Sequence, residues 1–199
     1  MVARKDLATD PALKFALLLA RRGTAHFGRK LNELRDLDLE GPSRIPGWSR
    51  RHVVAHVSYQ ARALVLLAEG AGEGGEPPTY PSRETQDELI SFGATLAPLA
   101  LRNLLSHSAV HLDVQWRDTT PDTWWNVVEL PDGSEMPLAD TVWLRAHEVW
   151  CHSVDFDNGA RWEDLPPEIA EYQPSTDARI LACLSRGCEP MSHGHDLRP

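Results

Sequence analysis

Long apolar runs are missing from this chain: none is longer than Phe15 to Ala20, which is far too short to span a bilayer. Basic residues are outnumbered, 20 against 29 acidic, for a net charge of -9. They are also scattered, so the basic stripe that marks a nucleic-acid surface is absent. Cysteine is scarce and odd in number, three at irregular spacing, which fits a reducing cytoplasm better than a disulfide framework. The segment Met1-Val-Ala-Arg-Lys-Asp has no apolar core with a cleavage site behind it, so no secretory leader is expected.

What remains is the composition of an ordinary soluble globular protein, 42% hydrophobic and 25% charged. At 199 residues the chain can bury a real core as one domain with a short appendage. Tryptophan is the exception to the general scarcity of aromatics, with seven copies. Buried tryptophan usually builds core, and that reading is taken for Trp48 and Trp150.

Hydrophobic periodicity predicts a first helix over Asp6 to Asp36, with Pro11 in its opening turn, where a missing N–H is harmless. Glu40 to Trp48 is rich in turn formers, and Ser49 is placed to cap a second helix running to about Glu69. A Gly/Pro/Glu-rich loop, Gly70 to Pro81, ends it. A third helical region is expected from Ser82 to Asp118, bent near Pro98. Trp124 to Met136 reads as a short hairpin around Asp132-Gly133, and a fourth helix runs from Pro137 or Leu138 to Asp157. The expectation is an all-α antiparallel four-helix bundle over residues 6–162, with a β-hairpin insertion. Residues 163–199 form a short C-terminal tail.

Two of these helices carry metal-ligand residue types. His52-Val-Val-Ala-His56 lies on the second and His147-Glu-Val-Trp-Cys-His152 on the fourth. Residues four apart stack on one helix face, so Glu148 and His152 converge, and a histidine from the second helix can complete the set. Two imidazoles and one carboxylate leave a metal position open for water or substrate. His52 competes with His56 for the place but lies near the helix start, where an exposed histidine is the default. His147 points about 100° away from Glu148.

The other candidates have plainer readings. Cys151 is expected to be a small buried side chain. Cys183, Cys188, His193 and His195 match no usual zinc spacing. Asp155 and Asp157 could support the ligand residues from behind, but acids near a glycine stop are expected to be solvated.

Three stretches together resemble the mycothiol-dependent maleylpyruvate isomerase family, a branch of the DinB-like metal-binding four-helix bundles. They are Ile45-Pro-Gly-Trp-Ser-Arg-Arg-His-Val-Val-Ala-His-Val, Tyr80-Pro-Ser-Arg-Glu-Thr-Gln-Asp, and Arg145-Ala-His-Glu-Val-Trp-Cys-His with Trp162-Glu-Asp-Leu-Pro after it. The resemblance covers roughly residues 10 to 170 and implies His56, Glu148 and His152 as ligands of a divalent metal, most simply Zn²⁺. It also implies mycothiol as a thiol co-substrate and a small electrophile as substrate. The resemblance also implies a second, smaller domain, as family isomerases usually have. In its place a short tail of unfamiliar sequence, residues 163–199, is expected, as itself or as a remnant of such a domain.

A divalent ion deprotonates a coordinated thiol. The implied isomerisation is thiolate addition to a cis double bond, rotation about the resulting single bond, and elimination. A mycothiol S-transferase, in detoxification or biosynthesis, would use the same ligands with a different second-substrate pocket. A non-catalytic metal-binding bundle is the third reading. Arg83, at the start of the third helix, is the candidate for holding a substrate carboxylate, with Arg145, one turn before the ligand pair, as a second, since a guanidinium binds carboxylate in a two-pronged fashion. The plainer readings are an exposed first-turn residue for Arg83 and pairing with an acidic neighbour for Arg145. The expected setting is the cytoplasm, as a monomer or homodimer, without nucleic acid or membrane.

Overall fold

Asp10 starts the first helix: its carboxylate accepts the Leu13 amide at 2.8 Å, and Pro11 occupies the first position. In this computed structural model, which describes residues 5–171, that helix is α1, Pro11–Asn32. α2 (Arg50–Glu73), α3 (Arg83–Ala94), α4 (Pro98–Asp118) and α5 (Asp140–Asp155) follow, with a short α6 (Pro167–Ala170). Between α4 and α5 lies an antiparallel hairpin, β1 (Val127–Glu129) and β2 (Glu135–Pro137), with Val128 opposite Met136. The result is the expected helical bundle with a hairpin insertion. No described helix is long and apolar enough to cross a membrane.

The helices pair in two directions. α1 and α5 run side by side the same way, since Phe15 meets Trp143 and Phe27 meets Phe156, at ring-centroid distances of 6.2 and 4.7 Å. α2 and α5 run oppositely, because His56 meets His152 while Gln60 meets Arg145. α4 lies along α2, and α3 covers another part of α2. Leu17, Phe27, Leu64, Leu67, Leu101, Leu144 and Phe156 fill the space between them and are fully buried. Gly23 lets α1 approach α5 closely, where a β-carbon would stand 2.5 Å from Val149 and 2.7 Å from Trp150.

Several boundaries differ from the sequence expectation: α1 begins at Pro11 instead of Asp6, α2 runs past Glu69 to Glu73, and three others have distant partners behind them. The third region is two helices that reverse at residues 95–97, not one bent helix. Pro98 opens α4, and the guanidinium of Arg51 takes the free carbonyls of Ala94 and Leu96. α1 stops at Asn32, short of Asp36, because Arg102 holds the carbonyls of Leu31 and Leu34 at 2.9 and 2.7 Å. α5 begins at Asp140 because the amides of Leu138 and Ala139 bond back to Asn126 and Trp124.

The two adjacent tryptophans divide. Trp124 is fully buried beneath the hairpin, while Trp125 is 56% exposed. After α5 the chain folds back so that Leu165 and Ile169 are buried against the bundle. Cys183, Cys188, His193 and His195 lie outside the described residues.

Candidate metal centre

The antiparallel pairing of α2 and α5 decides which side chains meet. His56 is in the second turn of α2, and Glu148 and His152 are one turn apart on α5. All three are buried, at 6%, 0% and 1% exposure. One ligand atom from each lies within 4.8 Å of the others. His56 Nε2 meets Glu148 Oε1 directly. His152 Nε2 stands 2.8 Å from the same oxygen but outside hydrogen-bond geometry, and Glu148 Oε2 has no partner. The two imidazole rings stand edge to face, 5.0 Å apart.

The far side of His152 is occupied by a carboxylate. Its Nδ1 lies 2.6 Å from Asp155 Oδ2, and Asp155 is 4% exposed. Donation from Nδ1 leaves Nε2 as the nitrogen presented to Glu148 and His56, the arrangement that orients metal-binding histidines. Burial opposes the charge on Glu148, but the charges of His152 and His56, with the His56 hydrogen bond, outweigh it and hold the carboxyl below its usual range. Burial likewise opposes a proton on His152, and the Glu148 charge with the Asp155 hydrogen bond raise that imidazole to about 10. A spot that attracts a proton between three converging lone-pair donors also suits a divalent cation. The donor set, two imidazoles and one carboxylate with an orphaned buried oxygen, fits zinc and similar ions.

A tight turn covers one end of this cluster. Gly47 adopts a φ of 82°, which only glycine takes without strain, and so brings Trp48 round. The Trp48 ring sits 5.5 Å from His56 and 6.0 Å from His52. The turn is tied to the end of α5 by the Arg44 amide on the Asp155 carbonyl and by an Arg44–Asp157 ion pair, each at 3.0 Å.

The competing histidine is employed elsewhere. His52 Nδ1 accepts the Ser49 amide at 3.2 Å and bonds the Ser49 hydroxyl at 2.8 Å, closing the first turn of α2. Burial pushes its pKa down, which keeps the ring neutral for that role. His147 turns away from Glu148 and meets Cys151 Sγ at 3.4 Å, and Cys151 is buried as expected. Arg83 is exposed in the first turn of α3, in a surface hollow with Glu84, Asp87, Glu88 and Ser91. No described contact joins it to the three converging residues. Arg145 is the reverse case, a fully enclosed guanidinium one turn before Glu148.

The Arg145–Gln60 contact is what sequence reasoning passed over, and the expectation of a solvated acid fails at Asp155, which is buried against His152. The available signal for Asp155 was its place three residues after His152, within reach on one helix face.

Residues 20–157 match the family described as the mycothiol maleylpyruvate isomerase N-terminal domain. The chain belongs to this family. Among solved structures, the crystal structure of the mycothiol-dependent maleylpyruvate isomerase is 42% identical, with a TM-score of 0.76. The match covers 79% of this chain and 66% of that one, so the chain spans just under two thirds of that relative's length. A histidine-to-alanine variant of the same isomerase gives the same figures. YfiT from Bacillus subtilis, described as having an unusual four-helix bundle topology, shares the fold at 16% identity and a TM-score of 0.62. Its match covers 78% of this chain and 91% of that one. No curated protein sequence matches. Membership of the maleylpyruvate isomerase family thus rests on sequence and fold together, and the buried His–Glu–His cluster lies inside the matched residues.

Proposed function

We propose that this protein is a cytoplasmic, metal-dependent enzyme that uses mycothiol as thiol co-substrate and acts on a small electrophile in the manner of a maleylpyruvate isomerase. The observation that carries the reading is the buried convergence of His56, Glu148 and His152 in a chain 42% identical to such an isomerase. These three residues would hold a divalent ion, most simply Zn²⁺, with residues 6–162 as the metal-binding unit. Bound there, the ion supplies Lewis acidity that keeps a thiol in its reactive thiolate form.

The protein's own side chains do the rest. Asp155 fixes the His152 ring so that Nε2 faces the cluster. Trp48 and the tight turn behind it shield one end of the cluster from bulk water, which strengthens electrostatic interactions inside. Burial holds the Tyr80 phenol protonated well above neutral pH, close enough to Glu148 and Arg145 to feel both charges. Arg83, at the exposed start of α3, is the proposed contact for a substrate carboxylate.

Metal analysis followed by thiol-dependent assay tests this reading. The expected result is about one ion per chain and turnover of maleylpyruvate that needs catalytic thiol without net thiol loss. Stoichiometric consumption of thiol would assign an S-transferase instead. Metal without any thiol-dependent turnover would leave a non-catalytic metal-binding bundle.

A further inference from the structure

Arg145 lies on the same strip of α5 as Glu148 and His152 and is 1% exposed. Its Nη1 donates to the Val57 carbonyl and to Gln60 Oε1, both at 2.7 Å. Val57 and Gln60 follow His56 on α2, so this brace joins the same two helices as the candidate metal ligands. Nε and Nη2 are buried without a hydrogen-bond partner, and none of the ion pairs among the described residues includes Arg145. A buried cation lacking a paired anion is costly. Burial pushes the guanidinium down to about 10, opposed by the charge of nearby Glu148, so it stays charged at neutral pH.

The buried charges around the cluster therefore comprise two carboxylates, Glu148 and Asp155, and one guanidinium. A divalent ion held with two neutral imidazoles leaves one positive charge in excess. A neutral fourth ligand does nothing about that excess, whereas an anionic one cancels it. Replace Arg145 by an uncharged residue and the pocket is already balanced with a neutral ligand.

We propose that Arg145 is a positioning residue that sets the charge of this pocket, so that it selects an anionic sulfur ligand, a thiolate, over neutral donors. The inference rests on the metal reading above and adds to it a reason for preferring thiolate. Arg145 acts through the field it places one helical turn from Glu148, without need of contact with the sulfur. A purely structural brace would show itself differently, by loss of metal from any variant that breaks the link to Gln60.

Cobalt-loaded full-length protein tests this without reference to turnover. L-cysteine is titrated in, and thiolate binding is read from the sulfur-to-cobalt charge-transfer absorption. Wild type is expected to take up one cobalt per chain and to bind cysteine. Arg145→Met is expected to keep cobalt but bind cysteine at least about tenfold more weakly. Arg145→Lys retains the charge and guards against a folding defect in the first variant; its cysteine affinity is expected within about threefold of wild type. Equal cysteine affinity in wild type and Arg145→Met overturns the inference, as does a lysine variant as weak as the methionine one. Failure of wild type to take up cobalt overturns the metal reading itself, and this inference with it.

Discussion

The carboxylate of Asp155 lies 2.6 Å from Nδ1 of His152, on the side of the imidazole that faces away from Glu148. Removing its charge while keeping its shape separates orientation from ligation. Asp155→Asn should lower metal affinity by roughly 10- to 100-fold without unfolding the bundle. Competition against a chelator of known strength reads this directly, and unchanged affinity would show that His152 is oriented by packing alone.

The three converging residues themselves should behave as a unit. His56→Ala, Glu148→Ala and His152→Ala are each expected to lose bound metal, measured as ions per chain by elemental analysis. Full metal content in Glu148→Ala would exclude the carboxylate as a ligand. Because Glu148 and Asp155 hold the His152 proton tightly, metal and proton compete for one place. Metal affinity should fall as pH is lowered.

Gly23 sits where α1 presses against α5, and a β-carbon there meets both Val149 and Trp150 below 3 Å. Gly23→Ala should destabilise the fold by about 1–3 kcal/mol, as overpacking does. A shift of the urea midpoint with unchanged slope would verify it.

The Arg21 guanidinium grips both oxygens of Asp6 at 2.7 Å and reaches Asp113 at 2.6 Å, tying the start of the described chain to α1 and α4. The Arg21 hydrogen bond holds the Asp6 carboxyl below its usual value of 3.8 despite some burial. A depressed carboxyl contributes stability above its unfolded pKa and loses it as pH falls through the folded one. Wild type should therefore lose stability on acidification below about pH 4. Asp6→Asn should be less stable at neutral pH and show a shallower acid loss by chemical denaturation.

Much of this was legible in the residues. Glu148 and His152 could be paired because a four-residue spacing on a helix has one geometric meaning, and Pro11 and Asp132-Gly133 mark their turns by local chemistry. The boundaries that shifted depend on distant partners. Arg51 and Arg102 bind helix-end carbonyls more than 40 residues away in sequence, and no local pattern announces that. Asp155 resembles any acid at the end of a helix until the end of α5 is buried in the bundle. His52 and His56 could not be separated by residue spacing alone. The Ser49–His52 bond that occupies one of them is visible only once the turn before α2 has its shape.

His56 and Glu148 are 92 residues apart in sequence yet meet at one point. An unfolded chain brings such a pair together only rarely, so the native state alone can offer the assembled site. Any ion that occupies it becomes a cross-link between α2 and α5, and its binding energy adds to the folding energy of the bundle. Metal supply would then set how firmly this protein holds its shape. Chelation should lower the melting temperature of the molecule.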